Sequence, residues 1–282
     1  METRSGTLPV REGSSRKTHG LPKKSASGKQ RSTPELDKIS RFIAEHRPQT
    51  PALVVDLDII ADNYLALRST LPIAEVYYAV KANPAPEVIT RLVSLGSFFD
   101  VASPAEIELV MGAGAKPQQI SFGNTIKKEV DIAMAYKRGV RMFAFDSEAE
   151  LLKLARSARG AKVFCRLLMN CEGADWPLSR KFGCEMDMAR DLLVKAKALG
   201  LHPYGVSFHV GSQQTRTDQW AFALEKTAGL FASLKQDGIS LEMVNIGGGL
   251  PAHYRDSVEP VEAYASAIQA AMTEHFGENL PR

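Results

Sequence analysis

Lys81 is the residue from which this sequence's chemistry can be read. The stretch Val76-Tyr77-Tyr78-Ala79-Val80-Lys81-Ala82-Asn83 runs five apolar or aromatic residues into one cation, then continues with small residues. An unbroken apolar run fits a strand buried on both faces, as in a parallel sheet. In α/β barrels the catalytic groups sit where strands end, at the carboxyl face. An amine placed there against a desolvating wall gives up part of its preference for the charged form and can act as a nucleophile. The same stretch also fits a lysine that caps a strand and reaches water.

Two downstream stretches weigh on that choice. Gly205-Val206-Ser207-Phe208-His209-Val210-Gly211-Ser212-Gln213 reads as an apolar strand ending in His209, followed by Gly211 and the hydroxyl of Ser212. An imidazole there can lie over a flat aromatic ligand, with a phosphate near the serine. Val244-Asn245-Ile246-Gly247-Gly248-Gly249 ends the next strand in three glycines, whose backbone N–H groups can cradle a phosphate. Barrels often hold phosphate after their last two strands. Three glycines also suit a plain tight turn.

Three charged residues belong to the same set. Asp100 ends the strand candidate Ser97–Val101 and should face the same mouth as Lys81. Glu106 is the third helical residue of the capping pattern Ser103-Pro104-Ala105-Glu106, which gives it a structural role of its own. Arg166 interrupts the apolar run Val163–Leu168, where a buried guanidinium needs an anionic partner. A lysine, a stacking histidine, a serine and a glycine nest on successive strand ends imply a pyridoxal phosphate site.

The elements that must position these groups alternate along the chain. Ala52–Leu57 reads as a strand and is followed by a helix to about Ser69. After Val76–Lys81, strand candidates recur at Ser97–Val101, Gln119–Phe122, Arg141–Phe145, Lys162–Leu168, Tyr204–Val210 and Glu242–Ile246, with helical stretches between them. Ser103 and Ser147 open helices with capping patterns, Gly200 and Gly238 sit where helices stop, and Met111-Gly112-Ala113-Gly114 is a helix stop rather than a cofactor loop. Repeated βα units specify an α/β fold with a parallel sheet. From Val76 onward there are seven such strands, one fewer than a closed (β/α)8 TIM-type barrel requires.

Residues 1–32 stand apart. They carry eight Lys or Arg against Glu2 and Glu12, so the formal net charge of +3 belongs to this basic stretch and the remainder is mildly acidic. With almost no large apolar side chains they are expected to be a disordered tail, and the charge argues for no nucleic-acid partner. The barrel domain is expected over residues 33–282, opened by a helix at Thr33-Pro34. Cys165, Cys171 and Cys184 show no CxxC spacing, which suits a reduced, cytoplasmic protein. No apolar run reaches membrane-spanning length and no metal-ligand spacing is present.

In this light the chain resembles the fold-type III pyridoxal-phosphate decarboxylases of basic amino acids, with an alanine-racemase-like barrel. The resemblance is carried, in the family's order, by Tyr78-Ala79-Val80-Lys81-Ala82-Asn83, Phe99-Asp100-Val101-Ala102-Ser103, Phe145-Asp146-Ser147-Glu148, Ser179-Arg180-Lys181-Phe182-Gly183, Ser207-Phe208-His209-Val210-Gly211-Ser212 and Gly247-Gly248-Gly249. It covers roughly residues 50–280 and is most similar to ornithine decarboxylase. It implies that Lys81 is the Schiff-base lysine, that His209 stacks on the ring, and that Ser212 with Gly247, Gly248 and Gly249 holds the phosphate. Asp100, Glu106 and Arg166 would surround the imine, and Lys181 would lie in a mobile loop near the partner of a homodimer.

The resemblance implies decarboxylation of L-ornithine to putrescine, with pyridoxal 5′-phosphate as cofactor. Diaminopimelate, arginine and lysine are alternative substrates. A non-catalytic decarboxylase-like binding protein is the remaining reading. The family's next strand, with a Glu-Pro-Gly-Arg motif whose acid pairs with the pyridinium nitrogen, and its C-terminal β-domain have no counterpart here. The chain is therefore expected to be truncated before the eighth strand and inactive alone.

Overall fold

The computed structural model describes residues 34–169, 172–176, 181–254, 257–278 and 280–281. The expected tail at 1–32, Cys171, and Ser179-Arg180 of the family motif lie outside the described residues. The chain divides into two compact units, Met1–Val54 and Val55–Arg282. In the first, helix α1 (Pro34–His46) stacks Phe42 on His46 one turn away.

The second unit alternates strands and helices. Its helices are α2 (Leu57–Thr70), α3 (Pro86–Ser94), α4 (Pro104–Gly112), α5 (Glu129–Lys137), α6 (Glu148–Ser157), α7 (Met186–Ala198), α8 (Asp218–Gln236) and α9 (Val261–Phe276). Its strands are β1 (Tyr77–Ala79), β2 (Phe98–Val101), β3 (Ile120–Phe122), β4 (Met142–Phe145), β5 (Lys162–Arg166), β6 (Ala174–Trp176), β7 (His202–Ser207), β8 (Ser212–Gln214) and β9 (Met243–Asn245). Seven of them form one parallel sheet in the order β1-β2-β3-β4-β5-β7-β9, while β6 and β8 pair antiparallel outside it. The expected α/β barrel with seven strands is what the chain builds.

Local chemistry sets the helix ends. The side chain of Asp56 accepts the Asp58 N–H at 2.9 Å and opens α2, so Ala52–Leu57, read as a strand, is instead the extended lead-in to a cap. Ser103 and Ser147 accept the N–H groups of Glu106 and Glu150 in the same way. Gly114, Gly200 and Gly238 take positive φ just past their helices.

Side-chain alternation then sorts the strands into two layers. Phe99, Val101, Phe122, Phe143, Phe145, Val163, Cys165 and Val206 are buried in the main core, which also takes in Ile107, Val110, Leu151, Leu154 and Leu193 from the helices. Ala144, Phe164, Tyr204 and Met243 form a second, smaller cluster.

The edge strands β1 and β9 do not pair with each other. A cavity of about 450 Å³ is lined by both of them, by Leu67 of α2 and Leu71 just past its end, and by Trp220 and Ile268 of α8 and α9.

Candidate active site

Strand alternation places Asp100 between the fully buried Phe99 and Val101, and its carboxyl lines the cavity with Tyr77, Ser121 and Tyr204. Arg166 stands likewise between buried Cys165 and Leu167. Asp100 pairs in register with Ala79 on one side and Ser121 on the other, so three neighbouring strands meet at its level.

The Asp100 carboxyl packs directly against the Gly123 backbone, where an added Cβ would stand 1.9 Å from Oδ1. Oδ1 is buried and, among the described residues, makes no hydrogen bond. Ser121 Oγ lies close by without meeting hydrogen-bond geometry, and it too lacks a partner. Burial pushes the Asp100 pKa up to about 6, against the pull of Lys81, of the neighbouring Ser121 hydroxyl and of Arg166, and with a push from Glu106.

Lys81 sits in a 3₁₀ turn, Val80–Ala82, just past β1 rather than in the strand itself. It is exposed, so the desolvating wall expected beside it is absent from its own stretch. Its charge nevertheless acts on both Asp100 and His209.

His209 lies two residues beyond the end of β7, which stops at Ser207 instead of running to Val210. Its Nδ1 accepts the Gly211 N–H at 2.9 Å, which leaves the ring proton on Nε2 in the neutral tautomer. Burial first, then the charges of Arg166 and Lys81, lower its pKa to about 4. The imidazole is therefore neutral near pH 7 and presents a flat, uncharged face.

Arg166 carries its guanidinium 5.1 Å from the Phe182 ring centre. Gly183 holds that aromatic in place: its N–H donates to Asp146 Oδ2 at 3.0 Å. Its φ of +101° and an added Cβ only 2.8 Å from the Leu167 backbone leave room for glycine alone. Lys181 is exposed on the same segment. Glu106 is half-buried; Ser103 caps its N–H, but its own carboxylate accepts the N–H of Ala102, one residue before the cap, rather than that of Ser103, and its charge still reaches Asp100.

Gly247, Gly248 and Gly249 lie against the backbone that follows β7. An added Cβ would come within 2.3 Å of Phe208 O at Gly247 and within 2.3 Å of Gly211 O at Gly249. The Gly247 N–H is already given to Asn245 Oδ1 at 2.8 Å. Among the described residues no bond engages the N–H groups of Gly248 and Gly249, which remain for an anion. Ser212 opens β8 beside this loop and pairs in register with Trp176.

The structure thus brings Lys81, Asp100, Arg166 and His209 into one electrostatic cluster, with Glu106 at its edge. Ser212 and the three glycines stand on the β7–β9 side. Ser121, Asn245 and Gln213 were not singled out from sequence. Ser121 had a signal, a lone hydroxyl between two apolar residues of a buried strand; the other two did not.

These residues fit a phosphorylated aromatic cofactor on structural grounds: two glycine N–H groups that no bond engages among the described residues, two orphaned buried oxygens, and a neutral imidazole. Residues 57–281 match the family described as pyridoxal-dependent decarboxylase, pyridoxal binding domain. This chain belongs to that family. Its cofactor is pyridoxal 5′-phosphate, as expected from the sequence.

Among its relatives, the lysine/ornithine decarboxylase of Selenomonas ruminantium is 39% identical over 246 residues, covering 87% of this chain and 61% of the relative. The ornithine decarboxylase of Rattus norvegicus is 36% identical over 241 residues, 86% of this chain and 52% of the relative. A solved structure described as SrLDC in complex with PLP and cadaverine superposes with a TM-score of 0.79 at 34% identity, covering 89% of this chain and 63% of that one. The chain therefore spans between about half and about two thirds of the relatives it matches. Among the described residues no helix is long and apolar enough to cross a membrane.

Proposed function

We propose that this chain is the cofactor-binding part of a carboxy-lyase that converts L-ornithine to putrescine, working as a cytoplasmic homodimer in its complete form. The observation that carries this reading is the convergence of Lys81, Asp100, Arg166 and His209 on one charge cluster, with the glycine loop packed on the segment that holds His209. Pyridoxal phosphate, when bound, supplies the electron sink that a departing carboxyl group needs.

The chain's own groups divide the remaining work. Lys81, exposed at the carboxyl end of β1, offers the amine that would tether the cofactor aldehyde. His209, neutral at pH 7, would cover the ring without adding charge. Ser212 and the N–H groups of Gly248 and Gly249 would hold the phosphate. Asp100, with a pKa of about 6, can hold or release a proton at Oδ1 near neutral pH. Arg166 and Glu106 set the field around it, and Lys181 is assigned to the loop near the dimer partner.

The choice of ornithine rests on Ser207–Ser212 together with Phe145–Glu148. Lysine is the second reading, favoured by the 39% identical relative named lysine/ornithine decarboxylase. The 282 residues by themselves we expect not to turn over, because among the described residues the edges of β1 and β9 beside the cavity pair with no further strand.

The test offers ornithine, lysine, arginine and diaminopimelate with cofactor to the full-length gene product and to residues 1–282. Released CO2 and diamine are measured. Preferred turnover of ornithine by the full-length product supports the proposal. Release from none of the four would replace it with a non-catalytic binding protein, and turnover by residues 1–282 would overturn the expected inactivity.

A further inference from the structure

We infer that Gln213 is a positioning residue that sets the distance between the two halves of the phosphate site; the inference rests on the cofactor reading above. Gln213 follows Ser212 in β8 and has a φ of 51°, in the left-handed region. A residue bearing a side chain stays there only where its surroundings hold it.

Those surroundings are specific. Gln213 Nε2 donates to Ala252 O at 2.9 Å, and its Oε1 accepts the Ala252 N–H at 2.9 Å. The side-chain amide thus pairs with a backbone residue as a neighbouring strand would. The next residue, Gln214, donates its N–H to Gly249 O at 2.8 Å. Three hydrogen bonds therefore tie residues 213–214 to residues 249–252, just past the glycine loop.

This link matters because the sheet does not supply it. The β7–β9 register ends at Ser207 opposite Asn245, before either phosphate-binding element begins. On the near side the loop is fixed by contact, with Gly247 against Phe208 O and Gly249 against Gly211 O. On the far side the backbone bond from Gln214 holds Gly249 and the Gln213 amide clamps Ala252, three residues beyond the loop. Gln214 braces the same turn from behind, donating from Nε2 to Val210 O at 2.9 Å and Glu172 O at 3.0 Å. Ser212 lies between these anchors, so its hydroxyl and the Gly248 and Gly249 N–H groups keep one separation. A phosphate dianion needs donors preorganised in this way. Pyridoxal, without the phosphate, has no use for it.

The test uses the full-length protein and two variants. Q213G relieves the left-handed backbone while removing the clamp. Q213E keeps the size and shape of the side chain but loses the donor to Ala252 O. Affinities for pyridoxal phosphate and for pyridoxal are measured by absorbance titration, with inorganic phosphate as competitor against the former. The inference predicts that both variants lose about tenfold or more for pyridoxal phosphate and less than about twofold for pyridoxal. It also predicts weaker competition by inorganic phosphate.

Relative to wild type at each pH, Q213E should recover as its carboxyl protonates and can again donate to Ala252 O. Equal losses for the two ligands, or an unchanged affinity for pyridoxal phosphate, would overturn the positioning role while leaving the cofactor reading intact. Failure of the unchanged protein to bind either ligand would remove the cofactor reading and this inference with it.

Discussion

The Nδ1 of His209 accepts the N–H of Gly211 at 2.9 Å, so one backbone amide fixes both the tautomer and the plane of the ring expected to cover the cofactor. The pKa of about 4 that burial and two nearby cations impose keeps that ring neutral. NMR titration should show no His209 protonation between pH 8 and about pH 5. His209→Ala should weaken cofactor retention by a few-fold to about tenfold, as expected for loss of about 0.5–1.5 kcal/mol of ring stacking. Unchanged retention would return His209 to a purely structural role.

Asp100 and His209 should pull stability in opposite directions with pH. The Asp100 pKa is raised from 3.8 to about 6, so its contribution is present below 3.8 and is lost as pH rises through 6. The His209 pKa is lowered from 6.5 to about 4, so its contribution is present above 6.5 and is lost as pH falls through 4. Asp100→Asn removes the Asp100 contribution and leaves that of His209. Urea unfolding at several pH values should show the variant gaining on wild type from pH 4 to pH 7. A difference that stays flat would mean that Asp100 is not desolvated.

A pair of glycine substitutions separates backbone need from ligand need. At Gly249, a φ of +99° and a Cβ position 2.3 Å from Gly211 O make alanine costly. The nearest atom to an added Cβ at Gly248 is His209 Nε2 at 3.7 Å, an ordinary contact. Gly249→Ala should lose about 2 kcal/mol or more of stability and Gly248→Ala within about 0.5 kcal/mol. Equal effects in denaturation would contradict the close packing of this loop.

Away from the site, Lys127 Nζ is buried against Glu150 Oε1 at 2.9 Å, Asn124 O at 2.8 Å and Ala144 O at 2.6 Å. Glu150 also pairs with Lys153 at 2.5 Å. Glu150→Ala strands a buried ammonium and should cost about 3–5 kcal/mol in chemical denaturation. A loss below about 1 kcal/mol would show that water reaches Lys127.

Much of the fold was legible because each strand carries an unbroken apolar run and each helix a cap. The serines at 103 and 147 both cap as their spacing suggests. Strand ends were read too long: β1 stops at Ala79 and β7 at Ser207. Hydrophobicity continues past both ends, because Val80 and Phe208 are buried beyond the strand ends, Phe208 still donating its N–H to Asn245 O at 3.0 Å. Ala52–Leu57 was misread because a buried-looking run can equally lead into a capped helix. The β6–β8 ribbon is not legible because Ala174–Trp176 and Ser212–Gln214 are each three residues long, too short to carry a pattern, and long-range pairing alone makes them strands. At the site, residue types sufficed for Asp100, His209 and the glycines. The clamp at Gln213 depends on a positive φ and on a contact 39 residues away, and neither is written in local sequence.

Lys81 alone is expected to tether the cofactor. Borohydride reduction of the cofactor-loaded full-length protein, followed by peptide mapping, tests it directly. One labelled peptide is expected, carrying Lys81. Lys127 is enclosed by its three acceptors and should not react, whereas Lys128 and Lys181 lie outside the charge cluster built by Asp100, Arg166 and His209. Label on Lys127, Lys128 or Lys181 in place of Lys81 would contradict the assignment.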